Sequence, residues 1–254
     1  MALRMDQSGG RPAGEPAVPV RPVACWLWNG AHCATVGEMS DPKQWVAITS
    51  AGELKAVLGE PTAAAVNKDR ARLHARDLEW LAASPFCLIA TAGADGTCDV
   101  SPKGDPAGFT LVLDDATLAI PERPGNKRGD GFHNVLTNPH VGLIYIVPGR
   151  TDTLRINGRA RLIREAEFFD RMVVKGHRPI LALVVEVEQI FYHCAKAFLR
   201  SSLWQPETWR PDALPSRPAL VKEVQRVEAT LEELERHYGP DYAKQLYGET
   251  VMLR

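Results

Sequence analysis

The chain lacks an excess of either charge: 30 Lys and Arg stand against 31 Asp and Glu, for a formal net charge of -1. A nucleic-acid binder is expected to show a net basic domain or a basic face, and neither stands out here. The same balance argues against an anionic membrane surface. Long apolar runs are missing as well. None approaches the ~18–20 residues that cross a bilayer, and the longest candidates, Val141 to Val147 and Ile180 to Val185, are of strand length. Arg4 near the start is followed by no apolar segment, so the N-terminus does not read as a signal peptide. Cysteine is sparse. Cys25, Cys33, Cys87, Cys98 and Cys194 contain no CxxC pair and leave one over. A disulfide framework is not expected in a chain of this length, and reduced thiols suit a cytoplasmic setting. The segment from Cys25 through His32 and Cys33 matches no usual zinc spacing and has no fourth ligand. No GxSxG elbow or other nucleophile-base signature is present.

What is present divides into three parts. Residues 1–38 are rich in Gly, Pro and Ala, with Pro12, Pro16, Pro19 and Pro22 opposing regular structure, and read as a disordered tail. Globular character begins at Met39, which is itself a candidate start. Residues 39–205 form the expected domain, and 206–254 a proline-marked linker followed by an amphipathic helix. In that last part Leu220, Val224, Val227, Leu231, Leu234 and Tyr238 draw one apolar stripe at helical spacing.

Within the domain, Thr62 to Ala83 favours helix, and Ser84-Pro85 stops it. Three hairpins follow in order: 86–91 with 97–101, 109–113 with 117–120, and 141–147 with 153–163. Along 154–162, Leu154, Ile156, Gly158, Ala160 and Leu162 alternate with Arg155, Asn157, Arg159 and Arg161, the period of a half-buried antiparallel strand. Leu181 to Phe191 supplies another long strand, and short helices are expected at 130–137 and 165–174. The fold class is mainly β with flanking helices, as a closed or partly closed barrel.

The informative stretch runs from Cys98 to Gly158. A strand ending at Ile120-Pro121 feeds a glycine-containing loop with Arg123, Asn126, Lys127 and Arg128, just before the start of a short helix. Backbone donors, a helix dipole and cations together suit a phosphate group. A solvated basic turn explains the same residues equally well at this point.

The segments SPFCLIAT (84–91), DVSPKGDPAGF (99–109), LAIPERPGNKRGD (118–130), NVLTNPHVGLIYIVPG (134–149), TLRINGRA (153–160) and HCAKAFLRSSLW (193–204) stand in the order found in pyridoxamine-phosphate-oxidase-like FMN-binding split barrels. The chain resembles that family over roughly half its length, closest to a bacterial FMN-dependent subgroup rather than to true pyridoxamine-phosphate oxidases. The resemblance implies a split β-barrel homodimer with FMN in clefts between subunits. It implies that Asn126, Lys127 and Arg128, with Arg123 nearby, hold the phosphate. Ser101 and Lys103 would lie along the flavin ring, with the backbone of Ile120 and Pro121 beside it. Arg155 and Asn157 would reach the cleft, and Lys196, Arg200, Ser201 and Trp204 would close it together with His193, from the same or from the other subunit. The catalytic candidates are His193, for proton donation or substrate orientation, and Lys103, for stabilising reduced flavin. The implied activity is an FMN-dependent oxidoreductase acting on a small organic molecule, with NAD(P)H or oxygen as the other partner. A non-catalytic flavin- or haem-binding protein and an F420-dependent reductase are the alternatives.

Overall fold

The computed structural model describes residues 45–247, and the expected tail at 1–38 lies outside them. The described residues fall into two units, divided between Glu60 and Pro61. The described part of the first is a helix, α1 (Ala51–Leu58). The Ser50 hydroxyl caps its start by accepting from the Glu53 amide at 3.2 Å. Leu54, Val57 and Leu58 on it are exposed.

The second unit carries one antiparallel sheet of seven strands: β1 (Phe86–Ala92), β2 (Cys98–Gly104), β3 (Leu111–Asp114), β4 (Thr117–Glu122), β5 (His140–Ile146), β6 (Thr153–Ile163) and β7 (Leu181–His193). Their order across the sheet is β2-β1-β5-β6-β7-β4-β3. The alternation along β6 does what a period of two requires. Leu154, Ile156 and Ala160 are buried in the core with Leu143, Tyr145, Val185 and Ile190, while Arg155, Asn157 and Arg159 face outward. Gly158 is required by its neighbour, since a Cβ there would stand 2.1 Å from the carbonyl oxygen of Glu186, beside a register shift between β6 and β7.

β2 and β3 are the sheet's two edges, and no backbone ladder joins them. Two ion pairs nevertheless connect β2 to β4. Lys103 pairs with Glu122, and Asp105, just past β2, pairs with Arg123, just past β4, at 2.6 Å. The sheet therefore curls until its first strand meets its sixth in the order. This is an open sheet with flanking helices, consistent with the split barrel expected. A helix, α4 (Asp130–Thr137), packs its Val135 into the core at this mouth.

Two expectations about helices are corrected. The segment from Thr62 to Ala83 is not one helix but two, α2 (Ala63–Val66) and α3 (Ala75–Ala83). Between them Arg70 exchanges both backbone hydrogen bonds with Ile190 of β7, at 3.0 and 2.7 Å. Its guanidinium also reaches Asp77, a fully buried carboxylate that completes a capping box with His74. Tertiary pairing there outweighs helix propensity. Likewise the stripe from Leu220 to Tyr238 is carried by two helices, α6 (Arg217–Val224) and α7 (Leu231–His237), the second opened by a capping box of Thr230 and Glu233. The turn lets Val221, Ala229 and Leu234 meet and leaves Val224 and Val227 exposed.

Candidate functional site

In β2 the polar residues fall two apart, so Asp99, Ser101 and Lys103 share the face turned toward α4. The Ser101 hydroxyl donates to Asp99 at 2.6 Å. Asn134 of α4 donates its side-chain amide to the Thr91 hydroxyl of β1 at 3.1 Å. The helix start sits close on this row, for a Cβ on Gly131 would meet the Asp99 carboxylate at 2.9 Å. Lys103 spans the mouth, pairing with Glu122 and placing its ammonium 4.7 Å from the centre of the Phe132 ring.

The loop before α4 is built by its own side chains. The Asn126 side-chain oxygen accepts from the Arg128 amide at 3.0 Å, an Asx turn. Lys127 takes φ 62° and Gly129 φ 65°, both left-handed. Arg128 is largely exposed and pairs with Asp130. The Phe132 and His133 amides donate to the Gly129 carbonyl at 2.9 and 3.0 Å, which leaves the Asp130 and Gly131 amides of the first turn without an acceptor in the helix, beside these side chains.

These elements enclose a cleft of about 490 Å³. Ser101, Lys103, Asn126 and Arg128 line it, together with Asp99, Thr91, Glu122, Gly131, Phe132 and Leu183. A polar row on one wall, an aromatic ring in the lining and a basic, amide-bearing end suit a planar molecule carrying a phosphate. Sequence reasoning missed Asp99 and Glu122. The period of two through Ser101 and Lys103 points to Asp99, whereas nothing local announces Glu122 as the partner of Lys103.

The other expected residues lie elsewhere. Lys127 lines a neighbouring cavity of about 960 Å³ on the far side of the loop. The Arg123 guanidinium donates to Asp105, to the Met172 carbonyl at 2.7 Å and to the His177 carbonyl at 3.1 Å, and it lines that second cavity and not the cleft. Ile120 and Pro121 are buried in β4 opposite Leu183 and Ala182, next in the strand to Glu122 of the cleft wall, and the expectation for these two concerned their backbone.

Arg155, Asn157 and His193 gather on the outward face of β6 and β7. The Arg155 guanidinium lies 5.0 Å from the centre of the Phe191 ring, and the Lys68 ammonium lies 4.6 Å from that same centre. The Arg155 Nε is buried without a hydrogen-bond partner among the described residues. Asn157 donates to Gln189 at 2.5 Å. Burial, then the charges of Arg155 and Lys68, hold the His193 imidazole below its usual pKa of 6.5. Lys196, Arg200 and Ser201 are exposed on or beside α5 (Lys196–Ser201), and none lines the cleft. Trp204 donates its indole N–H to the Arg150 carbonyl at 2.7 Å and stacks on Phe198 at 6.0 Å, tying this segment to the β5–β6 turn. Among the described residues no group of His, Cys, Asp or Glu could hold a metal ion, and no helix is long and apolar enough to cross a membrane.

The sequence profile of the family described as pyridoxamine 5'-phosphate oxidase matches residues 73–194. No curated protein matches the chain. Among solved structures, a Lactobacillus delbrueckii protein named provisionally for pyridoxamine 5'-phosphate oxidase is 23% identical. That match covers 49% of this chain and 98% of the other, at a TM-score of 0.39. HupZ of Group A Streptococcus is 18% identical over 47% of this chain and 94% of its own, also at a TM-score of 0.39. An FMN-binding protein of Syntrophomonas wolfei is 14% identical over 47% of this chain and 88% of its own, with a TM-score of 0.36.

Proposed function

Because residues 73–194 form a domain of the pyridoxamine 5'-phosphate oxidase-like family, we propose that the protein is a flavoprotein that holds FMN in the cleft between β2 and α4 and acts as an oxidoreductase on a small organic molecule. One observation carries this reading. The polar row of β2 and the Asn126–Arg128 loop open onto a single cleft at the start of α4.

In that cleft Arg128 and the Asp130 and Gly131 amides at the start of α4 bind the phosphate, and Asn126 holds the loop in the conformation that presents them. Ser101, oriented by its bond to Asp99, offers polar contact along the wall, and Phe132 supplies an apolar surface. Lys103 keeps positive charge in the cleft, balanced by Glu122. The bound flavin would supply the electron-transfer chemistry, with NAD(P)H or oxygen as the second reactant.

Arg155, Asn157 and His193 belong to this reading through a second copy. They face outward, away from the cleft of their own subunit. A homodimer that lays the β6–β7 face beside a partner's cleft would give the orphaned Arg155 Nε an acceptor.

The test is the visible spectrum of the purified full-length chain, with the released chromophore identified by mass. FMN supports the reading, F420 would keep the phosphate site and change the cofactor, and a colourless chain that takes up neither would refute it. In Arg128→Gln the loss of a charge-assisted contact worth about 1.5–3 kcal/mol weakens flavin binding roughly tenfold or more. Light scattering should give a dimer, and a monomer that keeps its flavin would contradict the shared site.

A further inference from the structure

Lys127 and Arg128 are consecutive, yet they face different cavities. With φ at 62°, Lys127 turns its side chain away from the cleft that Arg128 lines and into the neighbouring cavity of about 960 Å³. The loop is thus a partition, and Glu122, Asn126, Gly129 and Phe132 are walls of both spaces.

The second cavity has an anchored aromatic wall. The Tyr247 hydroxyl donates to Asp105, whose side chain is 2% exposed and already paired with Arg123. That hydrogen bond raises the Tyr247 pKa, so the ring stays neutral. Its face stacks on His177, with centroids 5.9 Å apart and planes 23° from parallel. His177 is presented by a tight turn in which Lys175 has φ 51° and Gly176 φ 81°, and the Lys175 ammonium lies 5.4 Å from the Tyr247 ring centre.

Charge there is uneven. The carboxylates at hand are committed, Glu122 to Lys103 and Asp105 to Arg123. Arg178 is offset by Glu165 and Asp170. No described residue pairs with the Lys127 ammonium, and Lys175 has only the tyrosine ring. Cationic charge beside a stacked aromatic wall calls for a ligand that is both flat and negative.

We propose that this cavity is a second binding site, separate from the flavin cleft, for a planar aromatic anion, with Lys127 contacting the negative group and the Tyr247–His177 pair stacking on the ring. The proposal goes beyond the flavin reading, and the Lys127 side chain serves this site instead of the flavin phosphate.

The test uses the full-length chain, with naphthyl phosphate as the probe and naphthol and inorganic phosphate as its two halves, followed by fluorescence or calorimetry. Naphthyl phosphate should bind at least about tenfold more tightly than either half, because charge and ring contacts act together. Lys127→Gln should weaken it about tenfold and leave flavin content unchanged. Arg128→Gln should lower flavin content and leave naphthyl phosphate affinity unchanged. Tyr247→Leu should weaken naphthyl phosphate and not inorganic phosphate, with circular dichroism checking the fold.

Equal naphthyl phosphate affinity in the wild type and Lys127→Gln would overturn the proposal. So would loss of flavin from Lys127→Gln, which would return that lysine to the flavin site. If the chain binds no flavin at all, the flavin reading fails by itself, and the naphthyl phosphate titrations still decide this one.

Discussion

The Arg123–Asp105 pair joins the two ends of the curled sheet, and removing the arginine should cost more than any exposed charge in the chain. The side chains are only 11% and 2% exposed, and the Nε–Oδ2 distance is 2.6 Å. Arg123→Gln leaves the Asp105 carboxylate buried without a counter-charge, a penalty of about 3–5 kcal/mol. The Met172 and His177 carbonyls also lose a donor, at about 0.5–1.5 kcal/mol each before water replaces part of it. A total near 4–5 kcal/mol is a large share of the roughly 5–15 kcal/mol that holds a domain folded. At roughly 2–4 °C per kcal/mol for a chain of this size, the midpoint should fall by about 10–15 °C. The assay is thermal and denaturant unfolding of Arg123→Gln, Asp105→Asn and the double variant. The double variant should be more stable than the sum of the singles implies, with a coupling of about 2 kcal/mol or more, because it strands no charge. Flavin content measured well below the midpoint should stay normal in Arg123→Gln, since its guanidinium is a strut that lines the neighbouring cavity and not the cleft. A cost under about 1 kcal/mol, additive singles, or a folded variant stripped of flavin would refute the reasoning.

Gly158→Ala should destabilise by about 3 kcal/mol or more, since its Cβ would lie 2.1 Å from a backbone oxygen in the middle of the sheet; an unfolding curve that overlays the wild type would contradict the close approach. Burial pushes the Cys87 thiol up to about 12, so at mildly alkaline pH peptide mapping after iodoacetamide should find Cys98 and Cys194, both exposed, labelled and Cys87 untouched. Early modification of Cys87 would place it outside the core. Because the His193 pKa is lower in the folded chain than its ordinary 6.5, the unfolded chain binds that proton first, and stability from this group is lost as pH falls below 6.5. The ring's large exposure makes the effect small, and His193→Gln should flatten the stability–pH slope there; an unchanged slope would show that partial burial, Arg155 and Lys68 do not lower that pKa.

The strands were legible because their signals are local. Alternation at 154–162 marks β6, and turn residues such as those at 93–96 mark the hairpins, all within a few positions of one another. The start of α4 was legible for the same reason, through the glycines and Asp130 that follow the basic loop. What the sequence hid is long-range. Arg70 reads as a helix residue until Ile190, far along the chain, claims its backbone. Lys103 and Arg123 look like surface cations until Glu122 and Asp105 are seen opposite them. The split between Lys127 and Arg128 depends on one left-handed φ that a lysine does not advertise. Residues expected to form one site thus fall on two faces of a single subunit, because period two sends Ser101 and Lys103 inward and Arg155 and Asn157 outward.

The meeting of β2 with β4 gives the barrel a seam. Everywhere else adjacent strands share a ladder of backbone hydrogen bonds, and parting them would break many bonds together. Along the seam, side-chain charge pairs hold the gap, and the cleft lined by Lys103 and Glu122 lies directly on it. Parting the curled sheet there would break two charge pairs and leave every rung of the sheet made, like a cuff undone at its buttons. Because both pairs are largely buried, salt loosens that fastening less than it loosens the exposed pairs of the surface.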